Sequence, residues 1–154
     1  MSIQAIFVAN LAATLFMVGL IWTIQIVHYP MFDRVGLEGS VRYAQDHNRL
    51  ITWVVGPPML IEMGTTIALA FGEDLPRVPA IVWWVGFVAL ILIWTSTWLL
   101  QVPCHEKLCT QFDSAVHQRL VKTNWIRTIL WSFRGTLLCY ALYLNLMPMR
   151  LPPP

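Results

Sequence analysis

Residues 78–102 read VPAIVWWVGFVALILIWTSTWLLQV, with no charged side chain along the whole stretch. A helix needs about 20 apolar residues to cross a hydrocarbon core about 30 Å thick. Outward from this stretch, three more apolar runs of similar length cover 3–27, 50–71 and 125–147. The last is the most interrupted, by Arg127, Arg134 and Asn145. Lipid offers no partner to a bare backbone, so each run is expected to be a helix closing its own hydrogen bonds. The chain of 154 residues is 57% hydrophobic and 12% charged, against about 25% charged in a soluble domain. That balance excludes a water-soluble globule, and disorder requires the opposite composition. The fold predicted is an all-α membrane protein, a bundle of four transmembrane helices. It forms a single polytopic domain over 1–154 with a proline-rich tail at 149–154.

The first run lacks the basic leader of a signal peptide, since no Lys or Arg precedes Arg34, and its core is too long for one. A retained span is expected. Arg34, Arg42 and Arg49 lie between the first two runs, and Lys107, Arg119 and Lys122 between the last two, against Arg77 and Arg150 on the opposite side. By the positive-inside rule both long connections are cytoplasmic and both termini outside, in a bacterial inner membrane. Trp53 and Trp125 are then expected at the cytoplasmic interface, with Trp83 and Trp84 at the outer one. Net charge is +2 with no basic run, so the partner expected is the bilayer and not nucleic acid. Cys104, Cys109 and Cys139 form no disulfide framework, and C-x4-C matches no usual zinc spacing.

The two halves resemble each other. His47-Asn48-Arg49-Leu50-Ile51 matches His117-Gln118-Arg119-Leu120-Val121; Phe32-Asp33 recurs as Phe112-Asp113; Trp53 recurs as Trp125. Gln25 and His28 resemble Gln101 and His105, with Pro30 and Pro103 beside them. Two hairpins, about 1–72 and about 78–148, would enter the membrane the same way up, as parallel repeats about an axis along its normal.

All four histidines, His28, His47, His105 and His117, fall toward the cytoplasmic side. The repeat pairs His28 with His105 and His47 with His117. Imidazole is a common metal ligand and a proton carrier near neutral pH, so these side chains are candidate general bases or ligands. His28 and His105 are the first choice to hold a transition metal or haem. The alternative places the histidines at the headgroups, with 38–49 and 112–124 as amphipathic surface helices. Gln25 and Gln101 each share a helix face with a histidine. Glu62 lies about 18 Å into its run, near mid-bilayer, where a carboxylate needs a partner. Alignment on the tryptophans sets Arg134 opposite it, as an ion pair that orients a substrate or only locks the bundle. Gly56-Pro57-Pro58 just upstream is expected to break or kink the helix. Arg127, Trp131 and Arg134 share one face, suited to an anionic or aromatic ligand. Arg127 is expected to snorkel to headgroups and Arg134 to be buried.

No nucleophile elbow, phosphate loop, H-E-x-x-H or C-x-x-C-H occurs. Pro103-Cys104-His105-Glu106-Lys107-Leu108, followed by Trp125, Trp131 and Arg134, resembles the anthrone oxygenase-like family of small four-helix membrane proteins. The likeness covers about 50 residues of the second half, with His105 where that family more often has Asn. Gln25-Ile26-Val27-His28-Tyr29-Pro30 has the look of a distinct bacterial branch. The resemblance implies oxidation of an aromatic or quinone-like substrate by oxygen. The expected function is a membrane oxidoreductase or oxygenase with a polar pocket at the cytoplasmic side. Glu62, Arg134, His47 and His117 would be its catalytic groups, and Gln25, Gln101, Arg127 and Trp131 would bind a lipophilic substrate. The alternative is a non-catalytic binding, transport or assembly protein, with an oligomer open to it.

Overall fold

The computed structural model describes residues 2–72, 75 and 77–147. Among these every regular element is helical: α1 Ile3–Thr23, α2 Leu37–Phe71, α3 Ala80–Ser96, α4 Val102–Leu108 and α5 Ser114–Leu146. Wide π turns, Ile24–His28 and Thr97–Gln101, prolong α1 and α3, so the chain forms four rods. Three stretches, Ile3–Phe32, Glu38–Phe71 and Ala80–Leu108, are long and apolar enough to cross a membrane. α5 is 33 residues long but is not among them.

The ends of the helices follow from local chemistry. Ser2 caps α1 by accepting from the Ala5 amide at 3.3 Å. Asp113 caps α5 by accepting from the amides of Ala115 at 2.8 Å and Val116 at 3.2 Å. Gly36 precedes α2 at φ 83°, a left-handed backbone that favours glycine. Each π turn ends at the last amide before a proline: Tyr29 N–H closes on the Ile24 carbonyl and Val102 N–H on that of Thr97. Pro30 and Pro103 then enter a new first turn, where the missing N–H has no cost. Pro57 and Pro58 do not break the helix, since α2 runs through both. Nor are 38–49 and 112–124 separate surface helices; residues 38–49 and 114–124 continue the long rods α2 and α5.

Around the bundle α1 neighbours α2, α2 neighbours α3, α3 neighbours α5 and α5 neighbours α1, while α2 and α5 lie on a diagonal. The core has three layers. Phe7, Leu69, Val82, Trp83 and Leu138 fill one end. Met17, Ile21, Met59, Ile93 and Trp131 fill the middle. Ile24, Tyr29, Phe32, Cys104 and Leu120 fill the other end. Trp83 is therefore a core residue, edge-on to Phe7 at 5.7 Å, and not part of an interfacial belt, whereas Trp53 is 77% exposed. Polarity is inverted: Asn10, Thr14, Gln25, Glu62, Asn124 and Arg134 are buried, while Leu60, Ile81, Leu99 and Ile129 are exposed. Such a surface suits a lipid solvent.

A polar network ties the rods at mid-length. Glu62 of α2 and Arg134 of α5 pair across the diagonal at 3.5 Å, both buried. Thr14 of α1 donates to Glu62 Oε1 at 2.6 Å, and Trp131 of α5 donates its indole N–H to Glu62 Oε2 at 3.0 Å. Arg134 donates to the Gly86 carbonyl of α3 and to Thr66 Oγ1 of α2 at 3.2 Å. Asn10 donates to Thr65 and Thr66 Oγ1, each at 2.8 Å. One guanidinium thus reaches all three other rods. Removing one member of a buried pair strands the other charge and costs about 3–5 kcal/mol, whereas replacing both with apolar groups is often near neutral. Thermal unfolding in detergent should therefore fall sharply for Glu62→Ala and recover much of the loss in Glu62→Leu/Arg134→Met. A double variant as unstable as the single one would show that the charges themselves are not what Glu62→Ala disturbs.

Candidate functional site

Between this network and the far end of the bundle lies a cavity of about 120 Å³. Its apolar wall comes from Met17, Ile21, Ile24, Val55 and Met59, with Trp131 beside them. Its polar lining is Tyr29, Asn48, Thr52, Thr97, Gln101, His105 and Arg127. The π turns explain this placement, because Tyr29 and Gln101 sit where the helix widens and re-aims its side chains.

Arg127 is buried and does not snorkel. Its Nε donates to Asn124 Oδ1 at 2.9 Å, and its Nη2 reaches the same oxygen. Two weaker contacts, both 3.4 Å, run from Nη1 to Thr97 Oγ1 and from Nη2 to the Tyr29 hydroxyl. The guanidinium carbon lies 5.9 Å from the Trp131 ring centre. Asn124 is itself held, donating to Gln25 Oε1 at 2.8 Å, and Gln25 donates to the Val121 carbonyl at 3.2 Å. Gln25 therefore stands behind the cavity wall and positions Arg127 through Asn124. Gln101 does line the cavity, braced by donation to Thr123 Oγ1 at 3.0 Å.

Three of the histidines, His28, His47 and His105, lie in a row. His28 Nε2 and His47 Nδ1 are 2.7 Å apart, so one ring donates and the other accepts. The His47 and His105 ring centres are 5.6 Å apart, and His105 Nε2 is 2.9 Å from the Tyr29 hydroxyl. His47 Nε2 is buried without a hydrogen-bond partner. His117 bonds to the Tyr29 carbonyl at 2.8 Å and is not joined to His47. Among the described residues no three His, Cys, Asp or Glu side chains form a group that could hold a metal ion. His28 and His105, expected as metal or haem ligands, each spend a ring nitrogen on another partner. His28 and His47 instead line a groove between α1 and α2 that shares Leu20, Ile24 and Ile51 with the cavity wall.

Of the site residues expected from sequence, Arg127, Trp131, Gln101 and His105 meet at the cavity, while Glu62 and Arg134 do not line it. Trp131 links the two, with its N–H on Glu62 and its ring beside Arg127. Sequence reasoning missed Tyr29, Thr97 and Asn124. Tyr29 had a signal, lying inside the Gln25-to-Pro30 signature; Thr97 is a small polar group in an apolar run and had none.

The chain matches no family model, no curated protein and no solved structure.

Stranding a buried polar partner costs about 1–3 kcal/mol, so Asn124→Leu and Gln25→Leu should each lower thermal stability measurably. Asp46→Ala, which removes the exposed 3.1 Å pair with Arg49, should change it by less than about 0.5 kcal/mol. Equal effects at the three positions would deny Gln25 and Asn124 their supporting role.

Proposed function

We propose that the chain is an integral inner-membrane protein that binds a small lipophilic aromatic or quinone-like molecule in this cavity. It acts on that molecule as an oxidoreductase or oxygenase. The observation that carries the reading is the cavity itself, about 120 Å³ and lined by both apolar and polar side chains. A dry cavity of about 150 Å³ accommodates benzene, so one ring is the size that fits. Trp131 lines the space for that ring, and Arg127 offers donors to an oxygen on it, with a further proton from whichever of Tyr29 and His105 accepts in their shared bond. The Tyr29–His105 contact at 2.9 Å is a route by which a proton can reach or leave the ligand. A binding or transport role without chemistry is the second reading, favoured by the full engagement of both Glu62 oxygens.

In this proposal α5 is the fourth span. Its outward residues Ile126, Ile129, Phe133, Tyr140 and Tyr143 are apolar or aromatic, and Arg127 and Arg134 point inward. The two hairpins, α1–α2 and α3–α5, are parallel repeats. Two-fold exchange would set α1 opposite α3 and α2 opposite α5, in keeping with the α2–α5 diagonal, and would equate the two π turns that precede Pro30 and Pro103. The termini face outward and the histidine end faces the cytoplasm.

Duroquinone, a one-ring quinone, should bind saturably to the detergent-purified protein. Val55→Trp, which fills the cavity from a partly buried position, should abolish binding without lowering thermal stability. Unaffected binding would put the ligand elsewhere. If the protein also speeds aerobic oxidation of duroquinol and Tyr29→Phe slows it, the oxidoreductase reading holds; binding without turnover selects the second.

A phosphatase reporter fused after residue 147 should be active in the periplasm of a bacterial host, and one fused after residue 110 should be silent. The reverse pattern would invert the topology.

A further inference from the structure

The ion pairs leave one buried cation over. Among the described residues the pairs are Arg49–Asp46 at the surface and Arg134–Glu62 inside. Arg127, 9% exposed, has no carboxylate partner among them, and its acceptors are the neutral groups Asn124, Thr97 and Tyr29. Glu62 cannot serve it: the carboxylate does not line the cavity and is taken by Arg134, Thr14 and Trp131. Buried charges are normally paired, because an unpaired one forfeits its hydration. A guanidinium also has five N–H donors. Here the Nε–H and one Nη2–H go to Asn124, while the Nη1 edge has only a 3.4 Å contact to Thr97. Arg127 lines the cavity, so its spare donors belong to whatever fills that space.

Resting on the binding reading above, we infer that the ligand is an anion, a small aromatic carboxylate. Its carboxylate sits on Arg127 and completes the missing ion pair, and its ring lies against Trp131 and the apolar wall. The Tyr29 hydroxyl, 3.4 Å from Arg127 Nη2, and His105 share one hydrogen bond, so the pair has one proton left as a further donor. Charge-assisted bonds from a guanidinium to a carboxylate are roughly twice as strong as neutral ones. A neutral ring of equal size should therefore be discriminated against, and so should a carboxylate without a ring.

The test uses the intact protein in neutral detergent, with benzoate, benzamide, acetate and duroquinone as probes in calorimetric titration. Benzoate should bind at least tenfold more tightly than benzamide or acetate. Arg127→Gln should remove the preference over benzamide, and Arg127→Lys should restore part of it. The comparison of benzoate with benzamide needs no variant, so a misfolded substitution does not blunt the test. Benzamide or duroquinone binding as tightly as benzoate would overturn the anion while leaving the cavity reading intact. Acetate binding as tightly as benzoate would overturn the aromatic part. If none of the four binds, both the reading and the inference fall.

Discussion

A carboxylate and a guanidinium face each other across the diagonal of the bundle, and the rest of the arrangement depends on that pairing. Glu62 and Arg134 are both closed off by the bundle, and the protein groups that bond them come from every rod, with only Arg134 Nε left without a partner among them. Such a network has few acceptable geometries. A helix shifted by one residue along its axis, about 1.5 Å, would break several of these bonds together. Apolar packing against lipid has little preference between such registers, because lipid is as apolar as the side chains. The polar network therefore supplies the register that packing alone does not.

Trp131 carries this constraint into the cavity. Its indole N–H is held by Glu62 Oε2, which fixes the plane of the ring beside Arg127. From the other side Gln25 and Asn124 hold the guanidinium. The ring of Trp131 and the head of Arg127 are thus each anchored by a group outside the cavity, Glu62 and Asn124, an arrangement that keeps a binding site in shape before a ligand arrives. Each π turn contributes at its own corner. It is a local departure from helical geometry where a proline would otherwise crowd the turn before it, and it brings Tyr29 or Gln101 to the cavity.

Much of the helical fold was legible because hydropathy reports on solvent, and lipid demands long uninterrupted runs. The three most apolar runs correspond to the three stretches fit to cross a membrane. Helix limits were not legible in the polar segments: nothing in 38–49 says whether it lies flat or continues the rod, since that is decided by packing of Ala44 and His47 against the other rods. Glu62 and Arg134 could be matched from the halves' alignment because both are rare residue types at equal depth. The histidine partners could not be found this way. Alignment pairs residues by sequence, whereas His28 meets His47 within its own hairpin, a contact set by how tightly that hairpin turns. The fate of Arg127 was misjudged for a related reason. An arginine two residues from Trp125 looks interfacial by position, but Asn124, one turn away on the same face, holds its head inward with help from Thr97 and Tyr29.

α5 shows what an average over a helix conceals. Its basic residues lower its hydropathy, yet the two in its central part, Arg127 and Arg134, are both buried, and the residues it turns outward there are Ile126, Ile129 and Phe133. The outward face of this part of the helix is apolar, while the average also counts the inward one. A helix that supplies the polar interior of a membrane bundle must score as its least apolar member, because polar groups the bundle needs have to be carried by some helix. α5 carries both buried arginines, and Thr14 of α1, Glu62 of α2 and the Gly86 carbonyl of α3 answer from the facing side. The helix that composition ranks lowest for the membrane is thus the one on which the interior of the bundle is organised.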